Sequence, residues 1–546
     1  MDIKWDALYF LRFLHFHDCL FVVTAFLITF YLRATRYRYY WRDQNVVHEK
    51  LSLFFGPQMK QLFKPFYITD RELYKKHGRL FGSYEDGKPV LFVAEPNLVK
   101  LVLVRDTGLV HKRIAEIDEP VRGNVMVNVG PQQWKKLRAA TSPAFAVGRL
   151  RKMQATIDAC ATVTSERLKQ AAAESEDVDF NGFYSAYTLE AVASCAFGTK
   201  LPQESSEKNA FIEASKDGFF FAKVTPLVVL KACLQKLSKT FHEDVFNKKA
   251  YSFFSIATMS IIKKREESKI RHGDFLQMMM DAKEASKRNA TSGHECSHSE
   301  GSALNPEDVK RSAAETTASH RLTTPGPERV SALGLSEEEA LAQCVLYFLV
   351  AQGTTSTTAS FATYLLAINP HVQEKLRAEV DECFRKHGSS PAYDNVAKLP
   401  YLDCVVKETL RLMTPTARVE RTAVQDYILG DTGIKVPRGC KIVVPIQQMH
   451  HDPDFFPEPE RFNPDRFNSE NVKSICPYTF LPVGAGPHNC PGSGFAVQMV
   501  KTCLLHAVHN VQFVKCAKTK VPPEYKAGFG VLQAKDLIVS VRRRSD

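Results

Sequence analysis

The chain contains thirteen cysteines but no C-x-x-C pair, and they are scattered over all 546 residues. An odd count without that spacing excludes a disulfide framework and a structural zinc site, and places the bulk of the chain in a reducing compartment. Zinc-finger spacing, an RNP-like aromatic motif and a heptad with a basic region are also missing, which removes nucleic acid from the partners. There is no internal repeat. Gly484-x-Gly486 continues to Asn489 where a third glycine would complete a dinucleotide fingerprint, so the chain carries no nicotinamide site of its own. Two stretches lack what surrounds them. Residues 285–334 have hardly any bulky apolar side chain, and Ala340 to Asn369 has no charge.

What is present is a 44% apolar composition, enough for a sizeable core, and an excess of 72 Lys and Arg over 60 Asp and Glu, a net +12. That charge suits an acidic protein partner or an anionic membrane surface. Residues Cys19–Leu32 (CLFVVTAFLITFYL) are uncharged, and Arg33, Arg36, Arg38 and Arg42 follow, mixed with Tyr37, Tyr39, Tyr40 and Trp41. The pattern predicts an N-terminal membrane anchor over residues 1–42, its arginines on the cytosolic side and its aromatics in the headgroup layer. A cleaved signal peptide is the poorer reading, because no small-residue cleavage site follows and the positive charge comes after the apolar run. The run is short for a full span, and an angled or partly interfacial anchor fits it as well.

Pro89–Glu95 (PVLFVAE) reads as a strand and most of residues 130–290 as helices. Residues 285–334 read as a flexible surface insertion, whose burial would offset too little ordering entropy. His294, Cys296 and His298 inside it alternate in a loop and do not make a metal site. Ser336 and Glu339 form a capping-box signature, so a helix starts there and runs to Asn369, where Pro370 stops it, roughly 50 Å at 1.5 Å per residue. Gln352, Gly353, Thr354, Thr355, Ser356, Thr357 and Thr358 make its middle polar, which marks a buried helix lining a cavity and not a second membrane span.

Phe480 to Ala496 (FLPVGAGPHNCPGSGFA) places Cys490 after a Gly/Pro loop and before a helical stretch. Glycines let a backbone approach a flat cofactor, and a helix N-terminus stabilises a thiolate. Such a sulfur serves as a nucleophile or as an iron ligand; without a paired catalytic histidine, iron is the better reading. The loop resembles the haem-binding loop of cytochromes P450, F-x-x-G-x-R-x-C-x-G, matching at Gly486, Cys490 and Gly492, with Val483 for the Phe and His488 for the Arg. Glu408 and Arg411, three apart on one helix face, followed by Pro459-Glu460-Arg461-Phe462, keep that family's order of motifs. By the resemblance, Glu408, Arg411 and Arg461 lock a helix to the segment beneath the haem. Trp134 and Arg138 are similar to the W-x-x-x-R pair that meets a haem propionate, and Arg113 and Arg418 fall where other propionate-binding residues lie.

The resemblance extends from about residue 60 to the C-terminus and is closest to the microsomal drug-metabolising branch, family three and its arthropod relatives. It implies a mainly α fold, a large helical lobe with a smaller β-containing lobe, over a single catalytic domain at 43–546. It further implies haem b on Cys490, dioxygen as co-substrate, electrons from NADPH through a partner reductase, with cytochrome b5 as a further donor, a lipophilic small-molecule substrate, and the endoplasmic reticulum membrane with the catalytic domain facing the cytosol.

Three departures bear on chemistry. Ala351-Gln352-Gly353-Thr354-Thr355-Ser356 keeps the distal Thr355 but has Thr354 where the family has an acid and Gln352 where it has glycine. His488 is only partly charged near neutral pH. Pro491 has no N–H to donate to the sulfur, which implies a more electron-rich thiolate and a lower iron potential. The missing acid also suits a reductase-independent haem-thiolate isomerase or dehydratase of oxygenated lipids. A haem sensor that has lost catalysis would use Cys490-Pro491 but has no need of the other motifs.

Overall fold

The computed structural model describes residues 20–21, 24–25, 28–29, 31–32, 35–51, 64–85, 87–111, 119–200, 211, 248–291, 334–526 and 531–544. Six of the fourteen residues of the apolar run from Cys19 to Leu32, Arg113 and the metal-like His294-Cys296-His298 set lie outside them. Among the described residues no helix is long and apolar enough to cross a membrane.

The helices that matter are α1 (Phe66–His77), α2 (Pro131–Thr141), α3 (Val147–Ala173), α4 (Phe180–Phe197), α5 (Lys248–Ser268), α6 (Phe275–Thr291), α7 (Glu337–Ile368), α8 (Pro370–His387), α9 (Pro400–Leu412), α10 (Ile446–His450) and α11 (Ser493–Asn510). The long helix starts where the sequence places it. Ser336 Oγ accepts from the Glu339 amide at 3.0 Å, and Glu339 Oε2 accepts from the Ser336 amide at 2.9 Å. Glu339 also accepts from Gln133 and Lys136 of α2, at 3.0 and 2.7 Å, so one carboxylate fixes the start of α7 and pins α2 to it. Asn369 caps the far end and Pro370 opens α8. Buried on nearly every face, α7 packs on α4, α5, α6, α9 and α11. Its polar middle is largely used against α4: Tyr184 Oη meets Thr363 Oγ1 at 2.9 Å, Ser360 Oγ donates to the Phe180 carbonyl at 2.9 Å, and Gln352, Ser356, Thr357 and Ser360 line a polar cavity of about 250 Å³ beside the start of α4. α6 continues through Thr291, so residues 285–291 of the segment expected as an insertion are helical, and residues 292–333 lie outside the described residues.

A smaller lobe holds a five-stranded sheet. Its strands β1 (Leu80–Glu85), β2 (Lys88–Val93), β3 (Val110–His111), β5 (Val419–Ala423) and β8 (Lys441–Val444) lie in the order β1-β2-β8-β5-β3, antiparallel except for the β2–β8 pair. β2 is apolar on both faces because both are covered: Val90 and Phe92 pack with Leu73 of α1, Leu91 and Val93 with the opposite core. Strands β4 (Asp177–Asp179), β9 (Val511–Val514) and β10 (Ile538–Arg543) form a second sheet, and β6 (Tyr427–Ile428) with β7 (Lys435–Val436) a hairpin.

Within the basic-aromatic flank, Trp41 departs from the place expected for it in the headgroups. Trp41 is fully buried against β1, donating Nε1–H to the Ser83 carbonyl at 2.9 Å, and a Cβ on Gly82 would overlap its ring. Tyr39 and the arginines around it remain exposed.

Candidate active site

Two glycines shape the cysteine loop. Gly484 and Gly486 have φ of 73° and 70°, in the left-handed region that glycine alone occupies without cost. A Cβ on Gly486 would also overlap the Leu103 carbonyl, so Gly486 is explained by its turn and by its packing on residues 103–104. The Asn489 amide donates to the Gly486 carbonyl at 3.1 Å and the Cys490 amide to the Val483 carbonyl at 3.0 Å, closing the loop. Gly492, packed on the Phe145 ring, is the N-cap of α11, so the solvent-accessible Cys490 precedes the positive end of an 18-residue helix.

α2 brings the W-x-x-x-R pair to this loop. Trp134 and His488 are in ring contact, with centroids 3.8 Å apart. Arg138 donates to the Asn489 carbonyl and to Asn489 Oδ1 at 2.9 and 2.8 Å. Burial lowers the Arg138 pKa while the neighbouring Cys490 raises it. Both of those acceptors are neutral, and among the described residues no carboxylate forms an ion pair with Arg138. A haem propionate fits that deficit, and the Cys490 sulfur is a suitable axial donor. The residues present therefore fit a haem, with Cys490 to hold its iron and Arg138, Trp134 and His488 at its acidic edge.

The loop is held from beneath. Arg411 donates through Nε and Nη2 to Glu408, both at 2.8 Å, with both side chains 0% exposed. Arg411 Nη1 donates to the His450 carbonyl at 2.7 Å, and His450 Nε2 accepts the Leu481 amide at 2.9 Å. His450 must then be neutral, and burial, with Arg411 adding to it, holds its pKa well below the usual imidazole value. A rigid line thus runs from Glu408 through Arg411 and His450 to the start of the cysteine loop.

The third member of the carboxylate lock is not Arg461. That side chain is 64% exposed and pairs with Glu458 at 3.2 Å; only its carbonyl, which accepts from Arg411 at 3.3 Å, reaches the lock. Glu408 Oε1 instead takes the Asn463 amide at 2.9 Å and Arg466 Nε at 3.4 Å. The sequence offers two near-identical candidates, Pro459-Glu460-Arg461-Phe462 and Pro464-Asp465-Arg466-Phe467, and it is the tight turn over Pro464–Phe467 that delivers its arginine. His450, which sequence reasoning also missed, carries no spacing signal.

Arg418 is committed elsewhere. It pairs with Glu420 at 2.8 Å and with Asp70 and Glu85 at 3.5 Å, so three carboxylates surround it and it offers no net charge to a propionate.

On α7, Thr354 and Thr358 donate to the Val350 and Thr354 carbonyls and Ser356 to that of Gly353, at 3.0, 2.8 and 3.1 Å. Thr355 differs. It is buried, and its Oγ1 makes no hydrogen bond. A buried hydroxyl left without a protein partner costs free energy and marks a position kept for something other than packing.

The fold and site define a protein whose cysteine loop, with Arg138, Trp134 and His488 beside it, would hold a haem. The chain belongs to the cytochrome P450 family, whose model matches residues 50–319 and 316–540. It is similar to cytochrome P450 3A2 of Rattus norvegicus, 30% identical over 92% of each chain, and to cytochrome P450 3A11 of Mus musculus, 30% over 94% of each. Cytochrome P450 3A5 of Homo sapiens is 30% identical over 86% of each. The chain is accordingly a haem-dependent oxidoreductase, a monooxygenase that takes dioxygen and NADPH-derived electrons and acts on a small molecule.

Proposed function

We propose that the chain is a haem-thiolate monooxygenase that inserts one oxygen atom into a lipophilic small molecule, drawing electrons from NADPH through a separate reductase, with cytochrome b5 as a further donor. It works at the endoplasmic reticulum membrane with its folded body on the cytosolic side, anchored by residues 1–42. The observation that carries the reading is the Cys490 loop, in which a sulfur at a helix N-terminus lies beside a half-buried Arg138 whose acceptors among the described residues are neutral. Haem on a thiolate supplies reductive activation of dioxygen, favoured by the electron density the sulfur donates. The chain's own part is to hold that sulfur in place through Glu408, Arg411 and His450, to neutralise the acidic edge with Arg138 and His488, and to exclude water with the buried faces of α7.

Thr355, with its unbonded Oγ1, and Thr354 are assigned to proton delivery through ordered water. Thr355→Ala should lower product per NADPH consumed and raise peroxide release by about 10-fold or more, a loss in the usual range for general acid–base groups; unchanged coupling would remove Thr355 from the relay. Cys490→Ser should abolish the red-shifted carbon monoxide band of the reduced protein, and survival of that band would overturn the whole assignment.

One observation favours a second reading, a reductase-independent isomerase or dehydratase. The position of the family's distal acid is occupied by Thr354, whose hydroxyl is used within its own helix. Turnover of an oxygenated lipid without NADPH or reductase would select it; strict dependence on both would exclude it.

A further inference from the structure

The segment after the apolar run is built into the β lobe. Trp41 sits as a knob in the space that the missing side chain of Gly82 leaves, and its Nε1–H is satisfied by the Ser83 carbonyl. Gly82 exchanges backbone hydrogen bonds with Val47 and Glu49, at 2.8 and 2.9 Å. Tyr40 Oη and Gln44 Nε2 donate to the Lys435 carbonyl at 2.7 and 3.3 Å, Gln44 Oε1 accepts the Lys435 amide at 2.7 Å, and Tyr84 Oη donates to the Arg38 carbonyl at 3.1 Å. A segment held at Gly82, Tyr84 and Lys435 has no freedom to swing.

Its outer face is different in kind. Arg36, Arg38, Tyr39, Arg42 and Val47 are exposed, and Asp43 is the one acid between residues 35 and 45. The guanidiniums of Arg42 and Arg38 lie 4.0 and 5.5 Å from the Tyr39 ring centroid, stacking cation on aromatic in the open. Lys435 and Ile428, paired across the β6–β7 hairpin, extend this face, with Ile428 55% exposed. Earlier in the chain Phe21, Ile28 and Leu32 are all large, apolar and uncovered. Cationic and aromatic side chains bordering bare apolar ones match the interface of an anionic bilayer.

We propose that residues 36–48 form a rigid collar, keyed into the five-stranded sheet by Trp41, which seats Arg36, Arg38, Tyr39 and Arg42 on anionic phospholipid and so fixes the inclination of the folded body to the membrane. The proposal rests on the membrane-anchored reading above. Each arginine in the headgroup potential strengthens surface binding about fivefold; Arg42 is paired with Asp43 at 3.2 Å, so Arg36 and Arg38 supply about 25-fold between them.

The test uses the full-length haem protein on vesicles of phosphatidylcholine, alone or mixed with phosphatidylserine, and follows tryptic cleavage after Arg38 and Arg42 together with co-sedimentation. The wild type should be cut about tenfold more slowly on the mixed vesicles than on phosphatidylcholine, because seating lowers the population of open collar. Gly82→Ala should sediment as the wild type does, yet lose that protection and its lipid dependence. Trp41→Ala, which removes the knob and leaves the strand intact, should do the same, so the result does not depend on how the alanine at 82 is tolerated. Equal cutting of the wild type and both variants would overturn the lock, and equal protection on the two vesicles would overturn the headgroup contact. Protection by a soluble acidic protein in place of phosphatidylserine would reassign the face to a protein partner. Failure of the wild type to sediment would defeat the anchoring reading itself, whereas sedimentation without protection would defeat the collar alone.

Discussion

Asp70 is buried in the β lobe, and neither carboxylate oxygen receives a hydrogen bond. Burial pushes its pKa up to about 7, Arg418 pulls it back, and Glu85 and Glu420 push it further, with Lys441 opposing them. Because the folded-state value exceeds the unfolded one, the folded protein holds a proton that the unfolded chain releases. That stabilisation is complete below about pH 4 and is lost as pH rises through about 7. Asp70→Asn, which keeps the neutral form, should raise the thermal midpoint relative to wild type at pH 8, with the difference shrinking towards pH 5; a difference independent of pH would refute the assignment. The two candidate arginines separate equally well by substitution. Arg466→Ala removes one partner from the fully buried Glu408, which keeps Arg411, should cost about 1.5–3 kcal/mol, and should impair haem retention. Arg461→Ala breaks only an exposed pair and should cost less than about 1 kcal/mol. Thermal unfolding and the ratio of haem to protein absorbance check both.

At the scale of elements, what could be read from the sequence was what is local. The start and stop of α7 followed from Ser336, Glu339 and Pro370 because caps and breakers act within four residues. Cys490 and its glycines were legible because a tight turn needs its residues in one place. Arg461 stands out where Arg466 does the work because two P-x-R-F segments five residues apart are equivalent as text, and only the turn at Asn463–Phe467 distinguishes them. Trp41 was placed in the headgroups because its burial depends on the missing side chain of Gly82, 41 positions away. Arg418 was offered to the cofactor because nothing near it in sequence announces Asp70 and Glu85. At this scale the capping box is directly testable. Ser336→Ala should destabilise the protein by about 1 kcal/mol, measured by denaturant midpoint, and because Glu339 also holds α2, Glu339→Ala should cost more and loosen the W-x-x-x-R helix against the loop.

For the whole molecule, the net charge of +12 sets the long-range field. Association with an acidic reductase should slow steeply with ionic strength, as the Debye length falls from about 10 Å at 0.1 M to about 3 Å at 1 M salt. Stopped-flow reduction at several salt concentrations measures this, and a flat profile would place docking on apolar contacts instead.

A rod without a wet side has no intermediate state of exposure. If any one of the helices wrapped around α7 peels away, a broad oily strip meets water, so amides near Val345–Leu366 should exchange their hydrogens only when the entire body comes apart. During synthesis the same rod leaves the ribosome before α8, α9 and α11 exist to cover it, and the newborn chain then needs the shelter of a chaperone.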